Sequence, residues 1–331
     1  MADGSPQQQI KSLLDESAEL EDSGQWNESV ALLLEALRLC DNHYGPNRAE
    51  THTVQTALAF SYRAQGRYQE SEKLDREVLS RRQRILGDDH VKTAKSLGNL
   101  ALDLKGQGRY AEGLELEKKA LEIMLEVEGE EAIPTLTSMS NLANSFSNQE
   151  RYEEAAELHE KVFEIRARLF GPDDPLTIVS QDLLAIDRRS LGQIDRAIEL
   201  QESAVEKARS TLGETHETTI RCVINLADTY GKLDTDEGTA RSISLLERAL
   251  ESLQGRNQED TPLTVGLKNN LGVAYAIDGR FEEARPLLEF CYDWSKQRLG
   301  RDHPRTQQIT ESLAWVLEQM GELVRVPMIN V

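Results

Sequence analysis

Apolar residues along this chain recur every three or four positions, the spacing of a single buried helix face. In a representative stretch Leu97, Leu100, Ala101 and Leu104 share such a face, and Gly106-Gln107-Gly108 then interrupts it. A second run, Leu114, Leu116, Ala120, Leu121 and Ile123, follows and closes near Glu128-Gly129. Glycine at a helix end takes the left-handed conformation without a Cβ penalty. Asp173-Asp174-Pro175 and Asp302-His303-Pro304 restart a helix, with the acid as cap and the proline in the first turn. The predicted element is a pair of amphipathic helices joined by a tight turn.

The pair repeats with a period of 42 residues. Its turn occurs as Gly24-Gln25-Trp26, Gly66-Arg67-Tyr68, Gly108-Arg109-Tyr110, Glu150-Arg151-Tyr152 and Gly192-Gln193-Ile194, each 42 residues after the last. Gly279-Arg280-Phe281 follows 87 residues later, one period of 42 and one of 45. A second signature keeps the same register at Tyr44-Gly45, Leu86-Gly87, Glu128-Gly129, Phe170-Gly171, Leu212-Gly213 and Leu299-Gly300. A threonine follows each break, at Thr51, Thr93, Thr135, Thr177, Thr219, Thr264 and Thr306. The three extra residues of the sixth unit are placed around Lys232 to Gly238, because Ala249-Leu250, the counterpart of Ala120-Leu121, is already displaced by three.

One pair cannot bury its own apolar face, so stacking of neighbours supplies the core. Small residues at Ala101, Ala143, Ala185, Ala227 and Gly272 allow close approach, and the aromatic after each turn is expected to wedge between the paired helices. The expected fold is an all-α solenoid of about seven antiparallel helix pairs. A lone helix from about Pro304 to Met320 caps it. Residues 1–6 read as a disordered N-terminus, 7–321 as the solenoid and 322–331 as a C-terminal tail. The tail, Val324 to Val331, is apolar enough to pack on the last helix, to occupy a groove in cis, or to dock elsewhere as a short motif.

Composition narrows the function. The net charge of −20 leaves no basic field for nucleic acid and disfavours an anionic membrane surface. No apolar stretch approaches the roughly 20 residues that span a bilayer. Cys40, Cys222 and Cys291 are too far apart in sequence to suggest a disulfide framework and read as free thiols in a reducing, cytoplasmic setting. His90, His216 and His303 share one register but lie at least two repeats apart, with helices roughly 10 Å from one another, so they cannot converge on a metal. Helix-start and turn roles are expected for them. No P-loop, GxSxG, HExxH or CxxC pattern is present, and no cofactor or metal is expected.

The quoted residues (Leu-Gly, Asp-His-Pro and Thr, then Asn-Leu-Ala, Gly-Arg-Tyr, Glu-Ala and Ala-Leu) resemble the tetratricopeptide repeats of kinesin light chains over roughly residues 10 to 320. The ordinary tetratricopeptide unit has about 34 residues; eight more is about one extra turn per helix. The resemblance implies a right-handed superhelix whose first helices line a concave peptide-binding groove. Kinesin light chains also carry a long heptad coiled coil before the repeats, which binds the motor heavy chain. Here the first pair begins near Gln7, so a motor subunit is not expected.

Residues i, i+4, i+7 and i+11 share one helix face, and on the first helix of each pair such a stripe corresponds to the groove face of the family. It holds Lys95, Asn99, Leu102 and Gly106 in the third unit and Thr137, Asn141, Asn144 and Asn148 in the fourth. In the fifth it is Val179, Leu183, Ile186 and Ser190. The sixth has Arg221, Asn225, Asp228 and Lys232, and the seventh Gly266, Asn270, Val273 and Ile277. Asn99, Asn141, Asn225 and Asn270 occupy one repeat position, where asparagine resembles the residue that holds a ligand's main chain in this family. An amide offers a donor and an acceptor, so it can pair with an extended peptide whatever its side chains. Lys95, Arg221 and Lys232 suit ligand carboxylates, and Val179, Leu183 and Ile186 form an apolar floor or pack on a neighbouring unit. The same asparagines have a structural reading, as bonds between neighbouring helices that set the repeat spacing.

The expected function is a non-enzymatic scaffold or adaptor whose ligand is a protein or peptide, an apolar residue flanked by acidic ones. The alternatives are a structural assembly protein using its convex face or ends, and an enzyme with a scattered active site.

Overall fold

A computed structural model describes residues 5–254 and 260–321. Fifteen helices and no strand are found among the described residues. They pair in sequence order as α1 (Pro6–Asp22) with α2 (Trp26–His43), α3 (Ala49–Ala64) with α4 (Tyr68–Leu86), and α5 (Val91–Gly106) with α6 (Tyr110–Glu128). The series continues with α7 (Ile133–Ser147) and α8 (Tyr152–Phe170), α9 (Pro175–Ser190) and α10 (Ile194–Leu212), then α11 (Glu217–Gly231) and α12 (Asp236–Leu253). The last pair is α13 (Pro262–Ile277) with α14 (Phe281–Arg298), and the lone α15 (Pro304–Gln319) packs on α14. The apolar tail considered above lies outside the described residues.

The chain divides into two units, residues 1–158 and 159–331, with the boundary inside α8. Along α1 to α7 and along α9 to α15, each helix packs on its neighbour in sequence. The core of the second unit is a large apolar cluster that includes Ile220, Leu246, Leu271, Leu288 and Val316, beside a smaller one of Val265, Cys291, Trp294 and Ile309. That of the first is a series of smaller clusters, such as Val30, Leu33 and Leu58. Among the described residues no helix is long and apolar enough to cross a membrane.

The repeat signatures have local causes. Each threonine is buried, and the hydroxyls of Thr51, Thr93 and Thr219 donate to the carbonyls of Gly45, Gly87 and Gly213 at 2.7–2.8 Å. That bond ties the start of one first helix to the end of the preceding helix. His90, His216 and His303 are N-caps, each accepting through Nδ1 from the backbone N–H two residues on at 3.0–3.1 Å. The Gly-Arg-Tyr turn is a Schellman closure, in which the Arg109 N–H bonds the Leu104 carbonyl at 2.9 Å while Gly108 sits at φ +79°. The arginine then bonds the glutamate three residues on, as in Arg109–Glu112 and Arg280–Glu283. In several units it also stacks on an aromatic five residues back, Arg67 over Tyr62 and Arg280 over Tyr275 at 4.1 Å.

The turn aromatic reaches forward to the next pair rather than only wedging within its own. Trp26 meets Phe60 edge-on at 6.2 Å, and Phe281 meets Trp315 in the same way. A Cβ on Gly106 would fall 2.3 Å from the Tyr68 ring, so that residue too packs on the following first helix. The reason is the period. A residue opening a second helix lies beside the next first helix about 34 positions on, as Trp26 lies beside Phe60.

The irregular sixth unit keeps its insertion where the pattern placed it. Ser242, Leu246, Ala249 and Leu253 of α12 are buried like Ala197, Gln201, Ala204 and Ala208 of α10, each 45 residues earlier. The extra residues, Asp236 to Gly238, extend α12 at its start, where the Thr235 hydroxyl accepts from the Gly238 N–H at 3.1 Å. Gly238 is required there because a Cβ would come within 2.5 Å of the Tyr230 carbonyl oxygen.

Candidate functional site

The stripe positions fall on the first helices as the period demands, and their surroundings separate them into two groups. In the first unit Lys95 and Asn99 are on α5, Asn141 and Asn144 are on α7, and Asn148 is the C-cap of α7. Lys95 and Asn148 are exposed and the other three half-buried. The side chains of Asn99, Asn141 and Asn144 have no hydrogen-bond partner among the described residues. Their amides are at the surface with donor and acceptor capacity unspent. Beneath them Lys105 of α5 donates to Ser145 of α7 and to Glu117 of α6, both at 2.6 Å, which links the two first helices.

In the second unit α11 packs on both α9 and α13, and its stripe is largely paired within the chain. The Asn225 amide donates to the buried Asp182 carboxylate of α9 at 2.6 Å. Asp228 is ion-paired to Arg189, and Arg221 lies 3.6 Å from Glu217. Asn270 accepts from its neighbour Asn269 at 3.4 Å. Lys232 is exposed at the end of α11, and Val179, Leu183 and Ile186 are half-buried on α9. Of the two readings left open for the asparagines, helix-to-helix bonding holds for Asn225.

The stripe of the second repeat, Thr53, Ala57, Phe60 and Ala64, carries no asparagine but adds an aromatic residue to this face. Phe60 of α3 stands 42 residues before Leu102, in the stripe register, and is 50% exposed. With Trp26 against its edge it offers an aromatic platform next to the free amides.

A second set of polar groups lies buried between repeats. Arg63 bonds both Asp75 and Asp103 at 2.8 Å, and both acids are essentially sealed from solvent. Burial, followed by the Asp103 charge, pushes the Asp75 carboxyl up to about 8 against the opposing pull of Arg63. Asp182 is pushed up to about 6 by burial, with the Asn225 and Gln201 hydrogen bonds pulling it back. His159 Nδ1 lies 2.5 Å from Asp187, both buried, and His159 Nε2 is enclosed. No substrate atom can approach an imidazole so enclosed, so this pair holds helices and does not exchange protons with a ligand. Cys40, Cys222 and Cys291 are likewise buried and free, and burial raises all three thiols, Cys291 to about 12.

Comparison with known proteins identifies the repeat. The sequence profile of the tetratricopeptide repeat matches residues 50–126, 134–210 and 263–324, well over half of the chain. The chain belongs to the tetratricopeptide repeat family. Its repeats are of the kinesin-light-chain-like kind. They resemble the crystal structure of nearly identical tetratricopeptide-like repeats from a Podosopora anserina protein described as a kinesin light chain, at 25% identity and TM-score 0.52. That match covers 63% of this chain and 97% of that one. BtubC (BKLC) from P. vanneervenii shares the fold over 99% of this chain and 97% of its own, at 19% identity and TM-score 0.50. The apo form of RapI does so over 95% and 98%, at 13% identity and TM-score 0.57. No curated protein matches the sequence at a significant level.

Proposed function

We propose that this tetratricopeptide repeat protein is a non-enzymatic scaffold that holds an extended peptide along its first-helix faces. The observation that carries the reading is the row of unspent amides, Asn99, Asn141 and Asn144, beside the exposed Lys95 on α5 and α7. Half-buried amides with no partner in the chain are suited to pair with a peptide backbone, and a nearby lysine favours an acidic side chain on that peptide. Phe60 adds an apolar surface to the same unit. In the second unit the half-buried Val179, Leu183 and Ile186 lie on the helix next to the one bearing Arg221 and Lys232, which again suits an apolar residue near acidic ones.

The test is a footprint. A peptide selected from a random library on the full chain is expected to slow hydrogen exchange in α5 and α7 or to protect their side chains from labelling. Protection confined to α4 and α6, or concentration-dependent self-association without peptide binding, would replace this reading with assembly through the other face or the ends.

A further inference from the structure

His52 breaks the repeat at a core position. In the first helices of the five helix pairs that follow, its register holds Ala94, Leu136, Ile178, Ile220 and Val265, each no more than 1% exposed, whereas His52 is 7% exposed. A polar ring in place of an aliphatic side chain costs burial energy unless the site uses it. His52 lines a cavity of about 300 Å³ formed by the start of α3, the end of α4 and the start of α5. Arg82, Lys92 and Lys95 line the same cavity, Ile85 and Leu86 give it an apolar wall, and no carboxylate faces it. In a chain of net charge −20, three cations gathered without an acid stand against the overall balance. Arg82 spends its bonds on Ser96 Oγ at 2.7 Å and the Lys92 carbonyl at 3.3 Å, and neither lysine has an ion-pair partner among the described residues. The first turn of α3 has no side-chain cap, and its one acidic residue, Glu50, does not line the cavity.

We propose that this cavity binds an oxyanion, a carboxylate or phosphate, carried on a small apolar group. Arg82 and the two lysines supply charge-assisted bonds, and Ile85 and Leu86 hold the apolar part. The site shares Lys95 with the peptide stripe but does not rest on that reading, since none of the stripe's asparagines lines it. His52 is the reporter. Its Nε2 lies 3.1 Å from the Pro46 carbonyl. Burial first, then Arg82 and, more weakly, Arg81 and Lys92, holds its ring below the usual histidine range, against the Pro46 bond. An anion among these cations favours the protonated ring and raises its midpoint.

The experiment follows the six histidines by NMR while the full chain is titrated at low salt with N-acetyl-leucine, phenyl phosphate and neutral N-acetyl-leucinamide. Both anions are expected to shift the His52 resonances and raise their pH midpoint, while the amide leaves them in place. Whichever anion binds more tightly names the source of the oxyanion. Lys92→Met with Lys95→Met, both exposed positions, is expected to weaken binding at least about tenfold, and Asn99→Ala with Asn141→Ala to leave it unchanged. His52 resonances that stay fixed with both anions, that move equally with the amide, or that respond undiminished in the lysine variant would overturn the proposal.

Discussion

Asn225 on α11 donates a 2.6 Å hydrogen bond to Asp182 on α9, a buried carboxyl raised to about 6. The folded chain therefore holds that proton more tightly than the unfolded one, whose aspartates titrate near about 3.9. Stability falls as pH rises from about 4 to 6 and levels off above. Asn225→Ala removes a donor that favours the ionised form, so the decline extends to higher pH. The expected loss is about 1–3 kcal/mol at pH 8 and smaller at pH 5. Urea unfolding at the two pH values checks it, and an equal loss at both would contradict the assignment.

Arg63 bridges Asp75 and Asp103, and one guanidinium faces two buried acids. One oxygen of each acid, Asp75 Oδ1 and Asp103 Oδ2, is buried with no hydrogen-bond partner among the described residues. With the Asp75 carboxyl at about 8, the folded state binds the extra proton between about pH 4 and 8, and stability declines across that window as pH rises. Asp75→Asn is expected to flatten the decline and to exceed the wild type at pH 8 without a gain at pH 4. Arg63→Met, which leaves the acids unbridged, is expected to cost about 3–5 kcal/mol near neutrality.

Glu150 occupies the turn position that is glycine in the other Gly-Arg-aromatic turns and adopts φ +60°. The same closure imposes it, for the Arg151 N–H bonds the Phe146 carbonyl at 3.0 Å. A side chain in the left-handed region is strained, so Glu150→Gly is expected to stabilise the fold by about 1 kcal/mol. Thermal unfolding of the variant gives the answer directly.

Two further glycines are predicted to behave oppositely. Gly238→Ala puts a Cβ 2.5 Å from the Tyr230 carbonyl oxygen and is expected to destabilise by about 1–3 kcal/mol. Gly98→Ala, inside α5 with open space around it, is expected to stabilise by about 0.5–1 kcal/mol. Denaturant midpoints of the two variants discriminate them.

Much of this was legible in the sequence because the fold repeats. The turns, the threonines, the histidine caps and the displaced sixth unit all sit where a period of 42 with one of 45 puts them. The buried charges were not legible. Asp75, Glu117 and His159 share the register of Leu33, and nothing local marks them as buried. Their compensation comes from residues brought close only by stacking, as Asp103 meets Arg63 from 40 positions away. The asparagine row was legible as a row, but not its division. Asn225 is spent on Asp182 because that acid, 43 positions back, stands opposite it on the preceding first helix, whereas Gly98 and Thr56 stand 43 positions before the register-equivalents Asn141 and Asn99. The surroundings of His52 were not legible either, since only stacking brings Arg82 of α4 and Lys92 and Lys95 of α5 to the same cavity.

The central claim is that unspent amides on α5 and α7 hold a peptide backbone. Its most direct test is calorimetric titration of a library-selected peptide into the wild type and the Asn99→Ala, Asn141→Ala double variant. Loss of two backbone-pairing amides is expected to weaken binding at least about tenfold, roughly 1.4 kcal/mol, with the fold unchanged by circular dichroism. Equal affinity for the two proteins would contradict the account.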